Sequence, residues 1–236
     1  MIITIDGPAG SGKSTVAKRL ARYFCLPYID TGAMYRSVAY RAIQLGKSLE
    51  DIPALVEIAE RLEFEFRFQD GDYFTAVSES GGEFVVAGDE IRSPEVSMAS
   101  SKIAQWAELR SLLVRKQQAS GRQKGGVLEG RDAGTVIFPE ADLKFFLTAS
   151  AEERAQRRHR ELLEKMGKAA PSFENVLKDV SIRDQQDQGR KASPLMPASD
   201  AIRVDSSRLD EDQVFDRLAK RIQAYIQADK AQDATS

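Results

Sequence analysis

Apolar residues along this chain switch between two periods, and the switches mark its elements. Ile2, Ile3 and Ile5 form a short β-branched run that reads as a buried strand. Val16, Ala17, Leu20 and Phe24 then recur at helical spacing, and Pro27–Ile29 reads as a second strand. A helix is expected from Ala33 to about Gly46, with Met34, Val38, Ile43 and Leu45 on its core side, and a shorter one from Pro53 to Leu62. The period then falls to two. Phe64, Phe66 and Phe68 alternate with Glu63, Glu65 and Arg67, and Asp70-Gly71 and Gly81-Gly82 separate this run from Tyr73–Val77 and Glu83–Ala87. Strands joined by glycine turns in this way predict an antiparallel three-stranded meander of about twenty-five residues.

Helical spacing returns after Ser93-Pro94-Glu95, where a serine cap and a proline in the first turn favour a helix start. The segment from Glu95 to about Lys116 reads as helical with a break near Trp106, and Gly125-Gly126 ends it. Val127-Leu128, Leu143–Leu147 and Ala201–Val204 are three further buried strands. Two charged helices lie between the last two, joined by a glycine-containing turn at Lys165–Pro171 suited to a mobile lid. Val214, Leu218, Ile222 and Ile226 share one face of a closing helix, and Asp229–Ser236 should fray. Five strands separated by helical material predict an α/β fold, a doubly wound parallel sheet from which the meander protrudes as an insertion.

The 236 residues suit one such domain with insertions. Lysine plus arginine number 34 against 36 aspartates and glutamates, a formal net charge of -2, so no global basic field points to nucleic acid or an anionic membrane as partner. Cys25 is the only cysteine and His159 the only histidine, which excludes an intramolecular disulfide and a cysteine- or histidine-rich metal cluster. A strand that begins at Ile2 leaves no room for a leader, and no run of eighteen apolar residues is present. The expectation is a cytoplasmic protein without membrane attachment.

Gly7, Pro8, Ala9, Gly10, Ser11, Gly12, Lys13 and Ser14, followed by Thr15, fit the pattern G-x-x-x-x-G-K-[ST] between a hydrophobic strand and a helix. This is a P-loop. Its glycines let successive amide hydrogens point into one concavity at the helix N-terminus, which favours a polyphosphate. Lys13 would meet the β and γ phosphates, and the Ser14 hydroxyl would ligate the magnesium that bridges them. Glu129, at a strand's C-terminal end, is placed to hold that magnesium through water, and it opens the polar run Glu129-Gly130-Arg131-Asp132-Ala133-Gly134-Thr135. Arg36 stands in the first turn of a helix, a poor place for a cation unless it meets an anion. Arg131, Arg154, Arg157, Arg158, Arg183 and Arg190 add further positive charge, with Arg183, Asp187 and Arg190 on one helix face. One triphosphate does not need so many cations. Two phosphorylated substrates facing each other do, and an acceptor phosphate, already ionised at neutral pH, needs no general base.

These motifs together resemble the bacterial cytidylate kinases of the nucleoside monophosphate kinase group. The marks are Ile5-Asp6-Gly7-Pro8, Asp30-Thr31-Gly32-Ala33-Met34-Tyr35-Arg36, the antiparallel insert, the run from Glu129 to Thr135, and Arg183-Asp184 with Asp187 and Arg190. The resemblance covers nearly the whole chain. It implies a P-loop core (about 1–50, 120–150 and 195–228), a monophosphate-binding insert (about 60–105) and a short helical lid (about 152–171). It further implies an ATP-dependent (d)CMP kinase that acts as a monomer on ATP and CMP or dCMP with Mg2+. By position, Thr31, Arg36 and Arg131 would hold the CMP phosphate with Arg190 nearby. Ser101, Arg110 and Asp132 would read cytosine, and Arg183 and Asp187 would contact the sugar. Lys13, Arg131, Arg154, Arg158 and Arg190 would serve the phosphoryl transfer. A carboxylate at Asp132 would accept from the cytosine amine and repel the carbonyl that uracil presents there. A GTPase switch would carry an Asn-Lys-x-Asp motif, which is absent. Another small-molecule P-loop kinase, of UMP/CMP, adenylate, thymidylate or shikimate type, is the remaining alternative; an adenylate, thymidylate or shikimate kinase would keep the P-loop and lid but not this insert with Gly130-Arg131-Asp132.

Overall fold

The structure, a computed structural model, describes residues 1–190 and 192–233. In chain order, β1 (Ile2–Asp6) leads through the P-loop into α1 (Lys13–Tyr23), and β2 (Tyr28–Asp30) leads into α2 (Thr31–Gln44) and α3 (Ile52–Arg61). The strands β3 (Leu62–Gln69), β4 (Asp72–Glu79) and β5 (Val85–Val86) follow, then α4 (Pro94–Ile103) and α5 (Ala107–Lys124). β6 (Gly126–Gly130), β7 (Leu143–Thr148), α6 (Ala151–Met166), α7 (Phe173–Gln188), β8 (Ile202–Asp205) and α8 (Glu211–Asp233) complete the chain.

β1, β2, β6, β7 and β8 make one parallel sheet in the order β2-β6-β1-β7-β8, while β3, β4 and β5 form a separate antiparallel sheet. Because every core strand runs the same way, all their C-terminal ends meet at one edge. The register sets Ile5, Asp30 and Glu129 in one row there. Alternation within β1 explains the layering. Ile3 and Ile5 pack with Phe145, Leu147, α1 and α8 on one face, while Ile29, Leu128, Ile137 and Phe138 fill the other. A second core, built by α2 to α5 and including Met34, Leu55, Ile103 and Leu113, carries the antiparallel sheet.

Several boundaries differ from the sequence expectation for identifiable reasons. α2 begins at Thr31 because the Asp30 carboxylate accepts from the Ala33 N–H at 2.8 Å and caps it. Leu45, expected in the core, is exposed, because it stands just past the helix end. The break near Trp106 separates α4 from α5, with the Trp106 indole donating to the Leu49 carbonyl at 2.9 Å. α5 continues to Lys124, since nothing before Gly125, at φ 65°, interrupts it. The third strand of the insert shortens to Val85–Val86. Instead of fraying from Asp229, α8 remains helical to Asp233; the last three residues lie outside the described residues.

The insert was expected to protrude, yet its tip returns to the core. Strands of eight residues reach roughly 26 Å, enough for the β3–β4 turn to fold back on α1. There Lys18 pairs with Asp72 at 3.1 Å, Arg22 donates to the Gly71 carbonyl, and the Tyr73 hydroxyl donates to the Leu26 carbonyl at 2.8 Å. Tyr73 joins the same apolar cluster as Ile3 and Leu20.

At the sheet edge, the Asp6 carboxylate accepts the Ala133 and Gly134 N–H groups at 2.8 and 2.7 Å. These open a wide helical turn, Ala133–Ile137, closed by the Phe138 N–H on the Ala133 carbonyl at 2.7 Å. Asp6 thereby joins the end of β1 to the segment after β6. Asp6→Ala should cost about 2–4 kcal/mol, because two buried donors lose their acceptor. Asp6→Asn, which keeps one acceptor, should cost less than half of that in urea denaturation. Equal losses would show that both carboxylate oxygens are needed together and that one retained acceptor in a side chain of the same volume does not hold the turn.

Candidate active site

A cleft of about 890 Å³ opens along the strand ends, lined by the P-loop, α2, α4, the run after β6, α6 and α7. Every glycine of the P-loop is needed. Gly7, Gly10 and Gly12 adopt φ of 150°, 75° and 89°. A Cβ on Gly7 would lie 1.9 Å from the Leu147 carbonyl, and one on Gly10 would lie 3.0 Å from the Arg154 carbonyl. Ala9, Gly10, Ser11, Gly12, Lys13, Ser14 and Thr15 line the cleft. Gly7 and Pro8 shape the loop from behind, Pro8 through a carbonyl that accepts from Lys13 Nζ at 2.7 Å. Burial, with Arg131 as the next cause, pulls the Lys13 ammonium down to about 7.

Lys13 opens α1, and Ser14 one residue on sets its hydroxyl 2.8 Å from both Glu129 oxygens. The expected pair of a P-loop hydroxyl and a strand-end carboxylate is therefore in place. Thr31, at the start of α2, donates to the Glu129 carbonyl at 2.6 Å and ties β2 to β6. A Cβ on the intervening Gly130 would come within 2.8 Å of that hydroxyl.

Farther along the cleft the cations are held by carboxylates. Arg36 and Arg92 both donate to Asp30, at 2.8 and 3.1 Å. Arg110 pairs with Asp132, both buried, and its guanidinium lies 5.6 Å from the Tyr35 ring centroid. Arg131 donates to Asp187 at 2.7 Å, and Arg190 to its other oxygen. Those cations hold the Asp187 carboxyl below the usual range despite its burial. Arg183, beside Arg131, is pulled down to about 10 by burial and by that neighbour. Ser101 faces the same space with a buried hydroxyl that has no hydrogen-bond partner among the described residues. So the structure brings together Thr31, Arg36, Ser101, Arg110, Arg131, Asp132, Arg183, Asp187 and Arg190 around one cleft.

Of the four arginines of α6, Arg154 and Arg158, the two expected to serve the transfer, are placed differently from each other. Arg158 is on the cleft wall, paired with Glu161 at 3.0 Å and donating to the Arg92 carbonyl at 3.4 Å. Arg154 is buried against the P-loop, donating to the Ala9 carbonyl at 3.1 Å and forking onto Asp184 at 2.9 and 2.5 Å. Sequence reasoning missed Asp30, Arg92, Tyr35 and Asp184 as site residues. Asp30 carried a usable signal, being a carboxylate at a strand end like Glu129. Arg92 carried none, because it enters the site from an irregular turn over Asp89–Arg92.

A family model described as cytidylate kinase matches residues 3–224. A cytidylate kinase of Caldanaerobacter subterraneus subsp. tengcongensis is 44% identical over 224 residues, 93% of each chain. One of Flavobacterium johnsoniae is 44% identical over 230 residues, 96% of this chain and 98% of that one. A solved shikimate kinase from Bacteroides thetaiotaomicron aligns over 96% of this chain and 98% of that chain, with a TM-score of 0.46 and 13% identity, too distant to bear on the acceptor. By the family model and by these relatives, the chain belongs to the cytidylate kinase family.

Proposed function

We propose that this enzyme transfers the γ-phosphoryl group of ATP to CMP or dCMP in the cytoplasm, giving ADP and CDP or dCDP. The observation that carries the reading is the buried Arg110–Asp132 pair beside the unpartnered Ser101 hydroxyl. Cytosine offers an amine donor next to ring-nitrogen and carbonyl acceptors, and a carboxylate beside a guanidinium matches that order. Uracil reverses the first group and would set a carbonyl against Asp132.

The rest of the cleft suits two anionic groups end to end. The P-loop amides and Lys13 would take the triphosphate, while Arg36, Arg131 and Arg190 would take the acceptor phosphate, with Thr31 at its edge. Arg183 and Asp187 would meet the sugar. Arg154 and Arg158 would add charge where it spreads over the equatorial oxygens in the transition state. The acceptor oxygen is already ionised, so these residues work by positioning, neutralising charge and excluding water. The α6 segment with the turn after it, 152–171, would act as the lid, and the insert region, 60–105, would help seat the monophosphate.

The Ser14 hydroxyl and Glu129 carboxylate are hard oxygen donors beside the phosphate cradle, a set that suits Mg2+ with Glu129 acting through water. When bound, Mg2+ would neutralise the β and γ phosphates.

A coupled assay for ADP formation with magnesium and ATP, offering CMP, dCMP, UMP, AMP and shikimate, should show turnover confined mainly to CMP and dCMP. Asp132→Ala should lower kcat/KM for CMP by about 100-fold, since a site built to bond a polar group discriminates strongly, and should narrow the CMP-over-UMP gap. An unchanged gap would remove Asp132 from base reading. Lys13 supplies a pH test. Its ammonium, depressed to about 7 in the free protein, returns toward its usual range between phosphates. Binding of MgATP should therefore take up about one proton per site at pH 8 and almost none at pH 6. Calorimetry in buffers of different ionisation enthalpy reads this directly, and Lys13→Met should abolish the difference. Equal uptake at both pH values would contradict the assignment.

A further inference from the structure

Glu129 has a second donor besides Ser14. The Tyr28 hydroxyl, from the neighbouring strand β2, donates to Glu129 Oε1 at 2.8 Å. Tyr28 is buried, and its register partner in the sheet is Val127, two residues before Glu129 on the same face of β6. Its ring packs at 5.7 Å, tilted, against Tyr73, and Tyr73 is fixed by its own hydroxyl on the Leu26 carbonyl. A buried carboxylate with one oxygen committed to a phenol has fewer rotations left to it. Ser14 Oγ lies 2.8 Å from both oxygens, so with Oε1 accepting from the phenol, Oε2 is the one left open to the Ser14 hydroxyl.

We infer that Tyr28 is a positioning residue for the metal shell, and that the insert, through Tyr73, holds it in place. This rests on the reading of Ser14 and Glu129 as the magnesium site. The phenol does not touch phosphate or metal. It donates to Glu129 Oε1, leaving Oε2 to accept from Ser14 or from a metal-bound water, as an outer partner orients an inner ligand elsewhere. Tyr73 acts at one remove: its ring limits how far Tyr28 can tilt away from Glu129. No covalent link or moving element is needed, only three packed side chains running from the insert tip to the P-loop.

The test is metal affinity read without turnover. Mn2+ is titrated, by the EPR signal of the free ion, into the protein saturated with a non-hydrolysable ATP analogue, and CMP affinity is measured alongside by calorimetry. Tyr28→Phe, which removes one oxygen and keeps the ring, should weaken Mn2+ binding by about tenfold, the lower end of losses for outer-shell partners. Its CMP affinity should be unchanged. Tyr73→Ala should weaken Mn2+ binding by a smaller factor. In a Glu129→Gln background, Tyr28→Phe should add nothing, because the two act as one unit. Wild-type Mn2+ affinity in Tyr28→Phe would overturn the inference while leaving the magnesium site standing. A parallel loss of CMP affinity would also overturn it, showing general loosening. If Glu129→Gln itself leaves Mn2+ affinity intact, the reading of Glu129 as part of the metal shell fails, and the inference with it.

Discussion

Guanidinium groups gathered in one cleft must be neutralised, because they cannot lose their protons to escape one another. That constraint organises this site. Asp30 holds Arg36 and Arg92, Asp132 holds Arg110, Asp187 holds Arg131 and Arg190, and Asp184 holds Arg154. Each arginine is thus fixed in direction before any phosphate arrives. The counterpart is that a substrate phosphate must compete with a carboxylate already in place. Its binding free energy is then a difference between two ion pairs, not the sum of several. Lys13 answers the same constraint in the other way open to it. An ammonium can release its proton, and burial beside Arg131 pulls Lys13 down to about 7.

The parallel sheet explains why this array forms at all. Strands running one way deliver the P-loop, Asp30 and Glu129 to a single edge, and the register aligns them to within a residue. β6 then continues into Arg131 and Asp132 without a gap. On the proposed reading, metal-side carboxylate, phosphate-side arginine and base-side aspartate would follow one another within four residues, Glu129 to Asp132. A base seated on Asp132 would then bring its own phosphate toward Arg131 and the P-loop, so that one segment would serve both specificity and alignment. Asp6, bonded to the turn just beyond, keeps that segment in register with β1.

Most of this arrangement was legible in the order of residues. Hydrophobic period marked the strands, the P-loop spacing marked the loop at the sheet edge, and the arginines singled out for a second anion, among them Arg36, Arg131, Arg183 and Arg190, meet around one cleft. What was not legible was pairing across distance. Asp30 with Arg92, and Arg154 with Asp184, join positions 62 and 30 apart in the chain, and no local period records such a meeting. The same is true of the insert. Its alternation showed three strands, but only the length of β3 and β4, together with Lys18, Arg22 and Leu26 waiting on and after α1, turns the tip back to the core. Leu45 fell on the wrong side of the prediction because a helical period says nothing about where the helix ends.

Arg154 and Arg158 of α6 divide any lid into a fixed root and a moving end. A Cβ on Gly10 would stand 3.1 Å from the Arg154 Cβ, so the first turn of α6 is seated on the P-loop. Arg157 adds a second tie, donating to the Ser206 carbonyl at 2.7 Å. Beyond it, the contacts change character. Lys165 meets Asp89 at 2.6 Å and Arg158 reaches the Arg92 carbonyl, both exposed and both made to the turn that precedes α4. Exposed pairs of this kind contribute little, being screened by solvent, against the packing that holds the root. Opening of the cleft should therefore hinge after Arg157 and separate α6 from the Asp89–Arg92 turn. Arg154 would stay with the P-loop while Arg158 moves. The arginine seated on the P-loop would then be in place throughout, and closure would add only Arg158.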